Sequence, residues 1–213
     1  MPTYRHNPTG KRFLFIHIPR TAGRFFEENL KLNSFELEQD HIWKSVDGVE
    51  VAHFHRDLYE KYFDIKHIPH VTIVRNPIDR FFSCSIFIRR MYGNDIDNLL
   101  EDEMYFYSLL QNFPLTESVN WFRNQVDFLS DKTNIWKFER KFGDDFGEWL
   151  SDIIGVPFTI HDVPYKKLST DEDNKVVRTD KIIDNLREFY RRDIEQLYPE
   201  LAAPFQERTK TKI

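Results

Sequence analysis

The sequence predicts an α/β protein in which a parallel sheet is flanked by helices. Short runs rich in Val, Ile and Phe alternate along the chain with longer segments that have helical spacing. Residues 71–74 are β-branched throughout, which is typical of a parallel strand buried on both faces. Ligands of such sheets bind at the carboxyl ends of the strands, and two polar motifs of this chain follow predicted strands.

Helix start and stop signals complete the assignment of elements. Asn76 and Pro77 are a typical N-cap and first helical residue, Thr179 caps the last helix, and Pro199 ends it. The predicted strands are residues 13–17, 49–54, 71–74 and 134–138. The predicted helices are residues 25–32, 56–63, 77–92, 116–129, 142–154 and 179–198, with a helical insertion at 95–111 and a polar loop at 158–175.

Composition indicates one globular domain. The 213 residues include 20 Phe and are expected to form a single domain, residues 1–213, with a core at about 12–200. The single cysteine, Cys84, excludes an intramolecular disulfide and indicates a reducing compartment. No apolar run approaches the ~20 residues of a membrane span, and the polar N-terminus lacks a signal-peptide core, so we expect a cytoplasmic protein. A formal charge of −5 disfavours nucleic-acid binding.

A phosphate-binding turn is predicted after the first strand, in Ile16-His-Ile-Pro-Arg-Thr-Ala-Gly23. There an apolar strand gives way to a polar turn and a helix start, whose unpaired N–H groups and partial positive charge favour anions. Arg20 and Arg24 would add cations, and Thr21 would add a hydroxyl. The pattern G-x-x-x-x-G-K-[ST] is absent, so the segment is not an ATP-hydrolysing P-loop.

A second anion motif is predicted at the strand-to-helix junction His70-Val-Thr-Ile-Val-Arg-Asn-Pro-Ile-Asp-Arg-Phe-Phe-Ser83. Arg75 ends the strand, and Ser83 lies about two helical turns after Asn76, on the same helix face. Arg75 and Ser83 are therefore expected to converge on one anion. Arg80, in the same motif, either binds the same ligand or holds the helix by pairing with an acidic residue.

Together the two motifs resemble the cofactor-binding loops of sulfotransferases that use 3′-phosphoadenosine 5′-phosphosulfate (PAPS). The first is similar to the 5′-phosphosulfate loop, Pro-Lys-Thr-x-x-[Thr/Ser], with Arg20 where the family has lysine and Arg24 where it often has a hydroxyl. The second resembles the 3′-phosphate motif, Arg-x-Pro-x-x-Arg-x-x-Ser. A looser likeness to carbohydrate sulfotransferases of the uronosyl type extends over about residues 12–200. The resemblance implies a P-loop NTPase-like sulfotransferase fold.

The resemblance implies sulfo transfer from PAPS to an acceptor hydroxyl without a metal, releasing 3′-phosphoadenosine 5′-phosphate (PAP). Arg20 would act at the bridging oxygen by charge and hydrogen bonding, because arginine keeps its proton at neutral pH. Arg75 and Ser83 would bind the 3′-phosphate. Arg24 binds the cofactor or points to solvent. The expected contacts of the 5′-phosphosulfate are Arg20, Thr21, Ala22, Gly23, Arg24 and Phe25.

The catalytic base is expected in Val51-Ala-His-Phe-His-Arg-Asp57, after the second predicted strand. Alternation along a strand would place His53 and His55 on one face. An alignment with the His-x-His of uronosyl-type enzymes favours His55, which we take first, and another alignment favours His53. His17, on the first strand, is expected to be structural. Further Cys/His spacing for a metal is absent, so no metal site is predicted.

Two further expectations concern the late loop and the acceptor. In relatives a loop at this position covers the nucleotide, so Lys167 and Ser169 are candidate cofactor ligands, with a solvated basic stretch as the alternative. The acceptor is expected to be a saccharide or another small molecule; its identity and the oligomeric state do not follow from the sequence. The competing functions are a nucleotide kinase or phosphotransferase on the same fold, and a non-catalytic PAP-binding module.

Overall fold

Five strands form the main sheet of the computed structural model, which describes residues 2–38, 45–46, 49–92, 121–163 and 178–202. In chain order the strands are β1 (Thr3–His6), β2 (Arg12–Ile16), β3 (Phe35–Leu37), β4 (Ser45–Val46), β5 (Val49–Glu50), β6 (His70–Val74) and β7 (Thr133–Lys137). The main sheet has the order β3-β1-β2-β6-β7, and β4 and β5 form a separate antiparallel hairpin.

The main sheet is mixed, so the prediction of a parallel sheet is correct for β2, β6 and β7 and wrong for the rest. β1 runs antiparallel to both β2 and β3. A tight turn joins β1 to β2 and allows them to pair. In this turn the His6 N–H donates to the carbonyl of Lys11 at 2.8 Å, and Gly10 has a φ of 70°. Strands of three and four residues carry too little periodicity to be recognised in the sequence.

The predicted second strand, residues 49–54, is wrong beyond β5. Val51–His53 forms a 3₁₀ turn instead of a strand. β5 pairs with β4 over two residues only, and after it the backbone makes local hydrogen bonds in place of ladder bonds. The turn buries residues 51–55 in the protein. His53 and His55 therefore do not lie on one face of a strand.

Six helices are present among the described residues: α1 (Gly23–Leu32), α2 (Arg56–Tyr62), α3 (Pro77–Tyr92), α4 (Asp144–Ile154), α5 (Asp180–Phe189) and α6 (Arg191–Leu197). α3 has the bounds predicted from the sequence. Its start is fixed by Asn76, whose Oδ1 accepts a hydrogen bond from the N–H of Ile78 at 3.0 Å.

Two predicted helices differ from the structure. The helix predicted at 179–198 is divided at Tyr190 into α5 and α6, because the Tyr190 backbone leaves the helical conformation, with φ of −95° and ψ of 24°. The buried Tyr190 hydroxyl donates to the carbonyl of Phe122 at 2.9 Å. Of the helix predicted at 116–129, the described part contains only a 3₁₀ turn, Gln125–Phe128. The predicted insertion at 95–111 lies outside the described residues.

Helices cover both faces of the sheet, as predicted, because alternate strand residues face opposite sides. On one face, Phe15 contacts Phe26 of α1, with 4.5 Å between ring centroids. On the other face, Ile16 belongs to a cluster with Tyr59 of α2 and Leu197 of α6. Burying each of these large side chains contributes roughly 1.5–3 kcal/mol, so the core fixes β2 firmly from both sides.

The carboxyl ends of β2 and β6 lie side by side, which brings the two sequence motifs together. Ile16 pairs with Thr72 in parallel register, and the Thr72 hydroxyl donates to the Ile16 carbonyl at 2.7 Å. The segments that follow the two strands therefore leave the sheet at the same edge. Residues 17–22 follow β2, and Arg75 follows β6.

Candidate functional site

Residues 17–22 form a turn that leads from β2 into α1, which we call the 17–22 turn. Arg20 and Ala22 have left-handed backbone conformations, with φ of 66° and 77°. This conformation costs a non-glycine residue roughly 1–2 kcal/mol, so the surrounding contacts must hold it. Ala22 is the N-cap of α1 and offers no side-chain cap. The first N–H groups of α1 are therefore available to an anion.

Gly23, the first residue of α1, lies against His17. A Cβ at Gly23 would be 1.9 Å from Nε2 of His17, which is far inside van der Waals contact. The His17 ring stacks on Phe15 with 5.5 Å between centroids, and its Nδ1 lies 3.7 Å from Oε1 of Glu27. These contacts make His17 a support for the helix start, in keeping with the structural role expected for it.

Arg20 connects the two motifs. Its Nε donates to Oγ of Ser83 at 3.0 Å, and its guanidinium lies over the ring of Phe87, 5.0 Å from the centroid. Its carbonyl accepts a hydrogen bond from Nη1 of Arg75 at 3.4 Å. The structure therefore brings together three residues that belong to two separate anion motifs in the sequence.

The backbone of Arg75 is held by Gln125, a residue that no sequence motif marks. Gln125 Oε1 accepts from the Arg75 N–H at 2.9 Å, and Gln125 Nε2 donates to the Arg75 carbonyl at 2.8 Å. Asp193 of α6 accepts from Gln125 Nε2 at 3.3 Å and from the N–H groups of Gln125 and Val126. Gln125 and Asp193 are both buried. Their role could not be predicted from the sequence, because burial depends on the fold and leaves no local pattern.

Burial raises the pKa of Asp193, against the opposing effects of Arg80 and of the N–H groups that donate to the carboxylate. Arg80 is itself fully buried on α3. It donates to the carbonyls of Trp121 and Arg123, and its guanidinium lies 5.6 Å from the ring centroid of Tyr190. Of its two expected roles, these contacts support the structural one.

Two neighbouring cations of the site, Arg20 and Arg75, differ from other arginines of the protein in their ion pairing. Among the residues that the structure describes, neither Arg20 nor Arg75 forms an ion pair, whereas the more exposed Arg12 and Arg178 both pair with carboxylates. Burial lowers the pKa of Arg75, Asp79 opposes this effect, and the charge of Arg20 lowers the pKa further. Adjacent, partly buried cations without a counter-ion favour the binding of an anion.

The groups that the 17–22 turn itself can offer to an anion are mainly backbone groups. Thr21 is fully buried, and its hydroxyl donates to the carbonyl of Ile18 at 2.8 Å, so its proton is used within the turn. Ala22 and Gly23 contribute main-chain atoms at the start of α1. The Thr21 hydroxyl, which was predicted to donate to the ligand, donates to a carbonyl of the turn instead.

The other predicted cofactor residues lie at the periphery of the site or outside the described residues. The side chain of Arg24 is exposed. The ring of Phe25 packs near Phe142, with 5.0 Å between centroids, at the edge of the site. Lys167 and Ser169 lie outside the described residues.

The two candidate bases are buried, and the described contacts of His53 include one with His17 of the 17–22 turn. The ring of His53 lies 4.9 Å from that of His17 and 5.5 Å from that of Trp121, measured between centroids. His55 is the N-cap of α2, and its Nδ1 lies 4.0 Å from Oδ2 of Asp57. The structure therefore separates the two histidines, one beside the turn and the other at a helix start.

Comparison with known proteins gives no identification. No protein-family model, curated protein or solved structure matches the chain. Within the described ranges, no group of three or more His, Cys, Asp or Glu side chains is placed to hold a metal ion. No helix in that part of the chain has the length and apolar character to cross a membrane. The function must be inferred from the residues of the site and their geometry.

Proposed function

We propose that this protein is a sulfotransferase with a P-loop NTPase-like fold that transfers a sulfo group from PAPS to an acceptor hydroxyl. The observation that carries this proposal is the convergence of Arg20, Arg75 and Ser83 beside the start of α1. Two cations that have no acidic partner among the described residues, together with a helix N-terminus, suit a ligand with anionic groups at two positions. PAPS is such a ligand, with a 5′-phosphosulfate and a 3′-phosphate.

In the proposed reaction, the acceptor oxygen bonds to sulfur as the bond from sulfur to the bridging oxygen breaks. PAP departs with the electron pair of that bond, and the acceptor's proton passes to a histidine base. Arg20 stabilises the negative charge on the departing oxygen by charge and hydrogen bonding, since its guanidinium does not give up a proton. Arg75 and Ser83 bind the 3′-phosphate, and the first N–H groups of α1 bind the 5′ end.

His53 is the base that the geometry supports better, because it contacts His17 beside the 17–22 turn. His55, the first candidate from the sequence, is the alternative, and the alignment with uronosyl-type enzymes favours it. The proposed acceptor is a saccharide hydroxyl, on the basis of the resemblance to uronosyl-type enzymes.

Calorimetric titration of the purified protein with PAP, with 5′-AMP and with ATP plus magnesium tests the nucleotide assignment. We expect PAP to bind most tightly. Arg75→Ala should weaken PAP binding about 10–100-fold and leave 5′-AMP binding nearly unchanged, because a charge-assisted contact with the 3′-phosphate is lost. Arg12→Ala is the matched control, since it removes an exposed arginine that pairs with Glu38 outside the site.

Each alternative outcome has a distinct meaning. Unchanged PAP affinity in the Arg75→Ala protein would remove the 3′-phosphate assignment. A preference for ATP with magnesium would replace the proposal with a nucleotide kinase. Tight PAP binding without sulfo transfer from labelled PAPS to water or to any saccharide acceptor would indicate a non-catalytic binding module.

A further inference from the structure

Arg20 is held by two side chains of α3 that lie one helical turn apart. Ser83 and Phe87 are four residues apart, so they project from the same face of the helix. Ser83 Oγ accepts the hydrogen bond from Arg20 Nε at 3.0 Å, and the Phe87 ring lies 5.0 Å from the guanidinium carbon. The Phe87 ring is fixed in turn by Trp121, which stacks on it with 4.7 Å between centroids and 15° between planes.

An arginine can make both contacts at once and keep further donors available, whereas a lysine would have to use its single ammonium group for all of them. The Nε–H group that reaches Ser83 has no equivalent in lysine, and the flat guanidinium can lie against a ring while its outer nitrogens stay available. Within the described residues, neither Nη atom of Arg20 has a hydrogen-bond partner. A guanidinium held in this way can direct both Nη groups at the oxygens of one anion.

We propose that Phe87 is a positioning residue that adapts this site to arginine at position 20, where the enzymes that this chain resembles use lysine. The inference rests on the function proposed above. Ser83 engages Nε and Phe87 holds the guanidinium plane, so that the two Nη atoms face the 5′ end of the bound nucleotide. Arginine is then the working residue of this chain, and Arg20→Lys impairs the site.

A double-mutant cycle on PAP affinity, measured by calorimetry, tests this proposal. Arg20→Lys and Phe87→Leu are each expected to weaken PAP binding about tenfold. The double variant should bind no more weakly than either single variant, because both remove the same arrangement. Phe87→Tyr keeps the ring and should bind PAP as the unaltered protein does. Where Phe87→Leu does not fold, Phe87→Met takes its place.

The matched control combines Arg12→Ala with Phe87→Leu. Arg12 is an exposed arginine that pairs with Glu38 outside the site. Arg12→Ala should therefore leave the PAP dissociation constant of the Phe87→Leu protein unchanged. PAP affinity that is unchanged in Arg20→Lys, or effects of Arg20→Lys and Phe87→Leu that multiply, would overturn the positioning role.

A second measurement needs no nucleotide. In the ligand-free protein, the NMR signal of the Arg20 Nε–H group, identified by its loss in Arg20→Lys, should shift in Phe87→Leu as the ring current disappears. If PAP binds but this signal does not move, the positioning role fails and the proposed function stands. If the signal moves but the unaltered protein does not bind PAP, the proposed function fails and takes the positioning role with it.

Discussion

Single residues of the 17–22 turn hold unfavourable conformations that only their neighbours can maintain. The left-handed backbone of Arg20 and Ala22 costs roughly 1–2 kcal/mol for each residue. The buried hydrogen bond from Thr21 to the Ile18 carbonyl offsets part of this cost and closes the turn. Backbone strain concentrated beside neighbouring cations is typical of sites that are organised before their ligand arrives.

The contact between Gly23 and His17 gives a prediction at this scale. Gly23→Ala should weaken PAP binding at least tenfold and lower the free energy of unfolding by about 1–3 kcal/mol, because the new Cβ would lie 1.9 Å from Nε2 of His17. Calorimetry with PAP and urea unfolding measure the two effects. Gly143→Ala is the control, since its Cβ would meet nothing closer than 3.5 Å.

Adding His17→Ala to Gly23→Ala removes the obstructing ring. The double variant should therefore bind PAP more tightly than Gly23→Ala alone. Binding by Gly23→Ala that equals that of the unaltered protein would show that the helix start does not contact the nucleotide.

Among the elements, the strand-to-helix junctions could be predicted from the sequence. The residues that hold these junctions in place, such as Gln125, could not. The Asn76-Pro77 signal after a β-branched run predicts both β6 and the start of α3. Arg75 and Ser83 follow from that junction because helical spacing is regular. Gln125 could not be identified, because its 3₁₀ turn is too short to show periodicity and its role depends on burial among distant elements.

The Gln125 amide is expected to matter for both stability and selectivity. Gln125→Leu leaves the N–H and carbonyl of Arg75 without their partner and removes one donor from buried Asp193. We expect the free energy of unfolding to fall by about 2–4 kcal/mol. The ratio of PAP affinity to 5′-AMP affinity should fall about tenfold, because Arg75 loses its fixed position.

A matched amide on β7, which contacts the amino end of β6, separates the two effects. Asn134 Nδ2 donates to the carbonyl of His70 at 3.1 Å, far from Arg75 along the strand. Asn134→Leu should lower stability without changing the ratio of PAP to 5′-AMP affinity. A ratio that Gln125→Leu leaves unaltered would contradict the proposed role of Gln125 in fixing Arg75.

For the molecule as a whole, parallel pairing at the centre of the sheet determines where the site lies. The chain has a net charge of −5, yet two arginines that have no acidic partner in the described part of the chain meet at the shared carboxyl edge of β2 and β6. The sequence predicts this meeting because parallel strands end at one edge. It did not predict the positions of His53 and His55, which depend on a hairpin that pairs outside the main sheet.

The pH dependence of global stability gives a last prediction, through Glu27 of α1. Burial raises the pKa of Glu27, the charges of Lys31 and Arg24 oppose this, and Glu28 adds to it. A carboxyl group with a raised folded-state pKa stabilises the protein at pH values below its unfolded pKa, and that stabilisation is lost as the pH rises through the folded pKa. The unaltered protein should therefore lose stability relative to Glu27→Gln as the pH rises from about 4 to 7. Urea unfolding across this range measures the difference. A Glu27→Gln advantage that shrinks with rising pH would mean that the ionised carboxylate is favoured in the folded protein.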